Sequence, residues 1–338
     1  MRLIVITQRV DEDDPALGAT VPKLRALAGE VDELVVLALA AAPTELPKNV
    51  RVKEFGAPTQ ALRGARLLVA LVPELATRQR VAVLAHMAPI YAVIAAPIAR
   101  VRRAPVLLWF THWRASRTLR WAERLATRVV SVDRRSFPLQ SSKLVPVGHG
   151  VDVDAIRAVQ RTDDGVLRLL ALGRTSPAKG LETIAAAARS ISDIHLELEI
   201  RGPSLTAEER RHRDELVGRG IVVAGPVPHA EVPAVLERTD ILVNNMRAGT
   251  LDKVVFEAAA AGLPVLVASE GFGDLIAGIE PSLCFAQDDP ASLAEAIRAL
   301  AALGVAGRAR IGAELRLRVL RDHSTAHWAK AIVAVASR

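Results

Sequence analysis

The chain has 338 residues, 51% of them hydrophobic and 24% charged, with a formal net charge of +7. That composition belongs to a folded protein long enough for two cores, and it excludes the disordered and collagen-like classes. The single cysteine, Cys284, rules out an internal disulfide or a cysteine-based metal cluster and suits a reducing cytoplasm.

Taken in chain order, the first half alternates apolar strands with helices. Strands are predicted at Leu3–Thr7 and Glu33–Leu39, with a helix near Val21–Ala28 between them. A helix near Gln60–Arg66 follows, then strands at Leu67–Val72, Val81–Ala85, Pro105–Phe110, Val129–Val132 and Lys143–Pro146. The opening segment reads as a buried strand rather than a secretory leader. Val81–Ala99 is nineteen residues without a formal charge, a length that could cross a membrane. Pro89, Pro97 and the many alanines favour a strand, a turn and a helix instead. The alternation predicts a parallel sheet with helices on both faces.

Two histidines, His86 and His112, stand at predicted strand ends, the edge where open α/β sheets bind ligands. Each could equally be a structural histidine. Residues 1–150 hold 22 Lys+Arg against 12 Asp+Glu, while residues 151–338 hold 22 against 25. The first half therefore carries the basic excess, which favours an anionic partner. Arg114, Arg117, Arg120, Arg124 and Arg128 recur at helical spacing, with Trp113 and Trp121 beside them. This stretch reads either as a basic amphipathic helix for an anionic membrane surface or as a solvated helix face. Aromatic content of 3% and the lack of a recognised module argue against a nucleic-acid partner.

The strand pattern restarts after Gly150, at Leu167–Leu172, His195–Arg201, Ile221–Val223, Ile241–Asn244, Pro264–Ala268 and Ser282–Phe285. Two Rossmann-like domains are expected, 1–150 and 151–322. A last helix at 323–338 is expected to pack back on the first. Neither a dinucleotide-binding glycine fingerprint nor a P-loop is present. After Leu167–Leu172 comes Gly173-Arg174-Thr175-Ser176-Pro177-Ala178-Lys179-Gly180, then a helical pattern. A glycine turn, two long cations and a helix start can cradle a diphosphate, and they can also be a plain basic turn. Further on, Asp252 can cap a helix that Gly262 closes and Pro264 ends. Within that helix, Lys253 and Glu257 are four apart and can meet on one face.

The pattern Gly-Arg-x-x-x-x-Lys-Gly, and about eighty residues later Lys-x-x-x-Glu-Ala-x-Ala-x-Gly-x-Pro-Val, resembles the two donor motifs of the family 4 glycosyltransferases, retaining enzymes of the GT-B fold. Thr7-Gln8, Asp14–Gly18, Phe110–Trp113 and Gly148–Asp152 are similar to further segments of that family, so the resemblance runs over nearly the whole chain. It implies an α/β GT-B architecture, two Rossmann-like domains whose parallel sheets face a central cleft. It implies a nucleotide-diphosphate sugar of UDP or GDP type as co-substrate, with no obligatory metal or other cofactor. The donor would be held by Gly173, Arg174, Lys179, Gly249, Thr250, Leu251, Asp252, Lys253 and Glu257, with Glu257 on the ribose. The acceptor, a glycan, lipid-linked sugar or small molecule, would lie near Gly18, Thr20, His86 and His112. His112, Arg174 and Lys179 would act in catalysis. One departure stands out: Gly249 occupies the place of the first of two glutamates in the family pattern. Its loss leaves a second reading open, a non-catalytic GT-B-like protein that binds a nucleotide or glycan or docks on a membrane. The expected location is cytoplasmic, peripheral on the inner face of the membrane.

Overall fold

The computed structural model describes residues 1–14, 17–112, 114–246 and 251–338. It divides into two units, the first made of Met1–Gly150 with Asp322–Arg338, the second of Val151–Arg321.

The first unit is a seven-stranded parallel sheet. Its strands are β1 (Arg2–Val10), β2 (Glu33–Ala41), β3 (Val50–Glu54), β4 (Val81–His86), β5 (Val106–Trp109), β6 (Arg128–Ser131) and β7 (Leu144–Pro146). They lie in the order β3-β2-β1-β4-β5-β6-β7, so the chain reverses its direction of travel between β1 and β4. The central strands are buried on both sides, as their continuous Val, Leu and Ile runs require. Helices α2 (Gln60–Leu75), α3 (Pro89–Val101) and α4 (Arg117–Leu125) join one apolar cluster with Ile4, Leu37, Val83 and Leu108. Helix α1 (Thr20–Glu30) packs instead with the last helix, α12 (Thr325–Ala336). There Trp109 and Trp328 meet edge to face, with ring centroids 5.5 Å apart. Each fully buried aliphatic side chain of these layers contributes roughly 1.5–3 kcal/mol.

Three sequence expectations in this unit need correction. Leu67–Val72 is not a strand; it is the second half of α2, whose buried Leu67, Leu71 and Leu75 follow helical spacing. The strand β3 was not foreseen, because it is an edge strand whose Arg51 and Lys53 face solvent. The arginine helix is shorter than Arg114–Arg128. Ser116 caps its start by accepting from the Leu119 N–H at 3.0 Å, and Arg128 already belongs to β6. Trp113 lies outside the described residues.

The second unit has four parallel strands, β8 (Leu167–Leu172), β9 (Leu196–Arg201), β10 (Ile241–Asn244) and β11 (Val265–Val267), in the order β11-β10-β8-β9. The expected strands at Ile221–Val223 and Ser282–Phe285 shrink to single bridges, Ala224 to Arg201 and Cys284 to Val267. With these bridges the order is that of a doubly wound nucleotide-binding sheet, and its switch point lies between β8 and β10. The helices are α5 (Leu181–Ser190), α6 (Ala207–Gly218), α7 (Val232–Glu237), α8 (Lys253–Ala260), α9 (Gly273–Ile276), α10 (Pro290–Ala302) and α11 (Gly304–Asp322). The last residue of α11 belongs to the first unit. Among the described residues no helix is long and apolar enough to cross a membrane.

Candidate functional site

At the switch point of the second unit, the segments that follow β8 and β10 bring five charged side chains to one sheet edge. Gly173 leaves β8 with φ +130°, and a Cβ there would sit 2.6 Å from Lys179 Nζ. The glycine therefore lets the ammonium group fold back over the strand end. Gly202, after β9, presses on the same turn: a Cβ on it would lie 1.8 Å from the Gly173 carbonyl oxygen.

Lys179 donates to Asp252 Oδ2, and Asn244, the last residue of β10, donates to the same oxygen at 2.9 Å. Asp252 does not cap α8 with its side chain, contrary to the sequence expectation. Two donors from the strand ends take its carboxylate instead. Gly262 does close α8: the Leu263 N–H reaches the Ala258 carbonyl and the Gly262 N–H reaches Ala259, both at 3.0 Å. That is a Schellman end with glycine in the left-handed position.

Arg174 is half-exposed, and its Nη1 lies 3.3 Å from Glu209 Oε1. Glu209 is buried at the start of α6, where its Oε2 accepts the Leu205 and Thr206 N–H groups at 2.7 and 3.1 Å. A helix capping box thus also orients the guanidinium.

Glu257 lies buried in α8, one turn after Lys253, which donates to its Oε1. Burial alone would raise the carboxyl pKa. The Lys253 charge and the His229 ring outweigh it and hold Glu257 well below the usual carboxylate range. His229 Nε2 is 3.3 Å from Glu257 Oε1 and 3.0 Å from Lys253 Nζ. Leu251 is buried beside these groups in sequence, while Gly249 and Thr250 lie outside the described residues. So the second unit collects Gly173, Arg174, Lys179, Asp252, Lys253 and Glu257 at one sheet edge. It adds His229, Asn244 and Asn245, which sequence reasoning missed. Asn245 donates to the Gly180 carbonyl at 3.2 Å and accepts the Asp288 N–H at 3.2 Å, tying the helix start to the next loop. Two amides at the end of a strand beside a switch point are a signal that sequence alone could have offered. His229 had only its position after the Gly225–Pro228 run.

In the first unit, His86 ends β4 and His112 follows β5. His86 is buried and lies 3.2 Å from Thr7 Oγ1 through Nδ1. Burial, then the nearby Lys23 charge, depresses its pKa to about 3, so the ring is neutral at pH 7. His112 is partly exposed, and its Nδ1 accepts the Arg114 N–H at 3.0 Å. In a neutral ring the proton then sits on Nε2, which leaves that atom the donor. Gly18 and Thr20 are buried in the turn that starts α1, where the Gly18 N–H reaches the Asp14 carbonyl at 2.9 Å. Pro15 and Ala16 of that turn lie outside the described residues. Among the described residues no group of three or more His, Cys, Asp and Glu side chains is placed to hold a metal ion.

Residues 167–302, all within the second unit, match the family model "Glycosyl transferases group 1". A glycogen synthase of Mycobacterium tuberculosis is 31% identical over 159 residues, which are 44% of this chain and 38% of that protein. The chain thus aligns with well under half the length of that relative. Over its whole length the chain is similar in structure to a sucrose-phosphate synthase from Thermosynechococcus elongatus, with a TM-score of 0.77, 16% identity and 98% of that chain covered. Anabaena HepE, solved in complex with UDP and glucose, gives a TM-score of 0.76 at 16% identity, with 100% of this chain and 99% of that one covered. These likenesses establish the fold as two Rossmann-like domains of the GT-B type.

Proposed function

We propose that the chain is a glycosyltransferase that moves a sugar from a nucleotide diphosphate to a carbohydrate, lipid-linked or small-molecule acceptor. The observation that supports it most is the grouping of Arg174, Lys179, Lys253 and Glu257 at the switch point of a sheet whose segment matches the glycosyltransferase group 1 model. Cations there suit a diphosphate, and the buried carboxylate of Glu257 suits ribose hydroxyls. UDP is the first donor to test, since HepE is described with UDP and glucose.

In this reading the bond between the anomeric carbon and the diphosphate oxygen breaks with its electron pair on the phosphate. Arg174 and Lys179 stabilise that departing charge, and no metal is obligatory for it. The acceptor oxygen bonds the anomeric carbon on the face that the leaving group vacates, which gives retention, and its proton passes to the departing diphosphate. The first unit takes the acceptor near Gly18, Thr20 and His112. His86, neutral and held against Thr7, supports the end of β4. The protein works in the cytoplasm, and α4, with Trp121 57% exposed and Arg124 stacked on it at 5.4 Å, rests on anionic membrane.

The deciding experiment is turnover. Purified protein is given UDP-glucose, UDP-galactose or GDP-mannose with an acceptor panel, and free nucleotide diphosphate is measured. Release that depends on acceptor and fails in Lys179→Ala supports the transferase. Tight nucleotide binding without release under any acceptor would favour a non-catalytic binding protein.

A further inference from the structure

At the edge of the first unit's sheet where strands begin rather than end lies a cavity of about 410 Å³. Val81, which opens β4, and Pro105, which precedes β5, floor it. Arg80, Arg100, Arg102, Arg103 and Arg338 surround it, and among the described residues no Asp or Glu side chain lines it. Toward the far edge of the same sheet, Arg2 and Arg51 pair with Glu33 and Glu74. All five arginines around the cavity are exposed, and three are bonded to carbonyls: Arg102 donates to Thr77 O at 2.6 Å, Arg100 to Leu125 O at 3.3 Å and Arg80 to Ser337 O. Carbonyl anchors hold the guanidinium groups in place without cancelling their charge.

The backbone carries a second sign. α3 ends with the Ala104 N–H on the Ala99 carbonyl at 2.9 Å and the Arg103 N–H on Arg100 at 3.0 Å. This is the same Schellman end that closes α8, where glycine fills the left-handed position. Here the residue is Arg103, with φ +52°. A side chain in that conformation is unfavourable, and it persists where something else rewards it. What it gives is one more guanidinium on the cavity wall.

We propose that this cavity is an anion site for a phosphate-bearing ligand, separate from the groups gathered around Lys179. Its ligand is a phosphate ester or diphosphate, either a soluble metabolite or a lipid phosphate. Binding of such an anion to the folded chain alone also stabilises the first unit by mass action.

Calorimetry with sodium pyrophosphate, at matched ionic strength, tests it on the wild type, Arg103→Gly and Arg174→Ala. Arg103→Gly relieves the left-handed strain, so its melting temperature equals or exceeds that of the wild type. Its pyrophosphate affinity is expected to fall by about tenfold or more, the loss of one charge-assisted contact, while Arg174→Ala keeps the affinity at this site. Flotation with phosphatidylcholine vesicles, with and without phosphatidylglycerol, separates the sources. Pyrophosphate binding lost in Arg103→Gly assigns a soluble phosphate. Recovery on anionic vesicles lost in Arg103→Gly, without pyrophosphate binding, assigns a lipid phosphate. Binding that Arg103→Gly leaves unchanged, binding lost only in Arg174→Ala, or no binding in either assay would overturn the site.

Discussion

His229 stands 3.3 Å from Glu257, with its Nε2 directed at the carboxylate Oε1 that Lys253 also contacts. A buried carboxylate is thereby kept ionised by two neighbours from different segments, one on its own helix and one from the loop before α7. Desolvation opposes the charge, and the pair of partners outweighs it.

Glu257→Gln keeps the shape and removes the charge. UDP affinity is expected to weaken by about 1.5–3 kcal/mol, the range for a hydrogen bond to a charged group. Titration calorimetry reads it, with a melting curve to confirm the fold. An unchanged dissociation constant would remove Glu257 from ribose binding.

Lys179→Ala strands Asp252 with Asn244 as its remaining described partner. Diphosphate affinity should drop by about tenfold or more, and nucleoside affinity should stay near the wild-type value. If UDP and uridine weaken alike, Lys179 acts on the fold of the site and not on phosphate.

Acid should destabilise the first unit through His86. Its folded pKa, about 3, is below the ordinary 6.5, so the unfolded chain binds the proton first as pH falls. The stability of the neutral ring is complete above 6.5 and is lost between 6.5 and about 3. The slope approaches about 1.4 kcal/mol per pH unit for one proton. Urea unfolding across that window should show it, and His86→Gln should flatten it. A wild-type slope that His86→Gln leaves intact would refute the assignment.

Gly202→Ala should be costly despite adding one methyl group. The new Cβ would fall 1.8 Å from the Gly173 carbonyl oxygen and push the β8 and β9 turns apart. A loss of about 1–3 kcal/mol is expected, with weaker UDP binding. Normal stability by denaturant unfolding would mean that the turns give way freely.

For α4, replacing Trp121 with Ala and Arg117 and Arg120 with Ser should cut recovery on anionic vesicles while leaving the melting curve unchanged. All three side chains are exposed, so the fold gives no other reason for a loss. Equal flotation with neutral and anionic lipid would end the membrane assignment.

The parallel sheets were legible because buried strands read as unbroken Val, Leu and Ile runs, as in Leu167–Leu172. Edges were less so: β3 is too polar to announce itself, and the runs Ile221–Val223 and Ser282–Phe285 mark the places of edge strands that form only the single bridges of Ala224 and Cys284. The cations of the candidate site were legible from their glycine and helix-start context. Their partners were not. Asp252 has the sequence of a helix cap, and only the fold shows Lys179 and Asn244 taking its carboxylate. His229 directly follows a proline-glycine run, and its place beside Glu257 depends on a loop whose course local spacing does not encode.

The Lys179–Asp252 and Lys253–Glu257 pairs have a consequence for selectivity. Each ammonium group is held by a carboxylate on the same fold, present at an effective concentration no dissolved ion can match. A simple anion such as phosphate or sulfate must displace that tethered rival with little to offer in return. A ligand that also contributes a base and a ribose can meet the cost of the exchange. In the proposed transferase the internal carboxylates would act as gatekeepers against the abundant small anions of a cell, without any moving part.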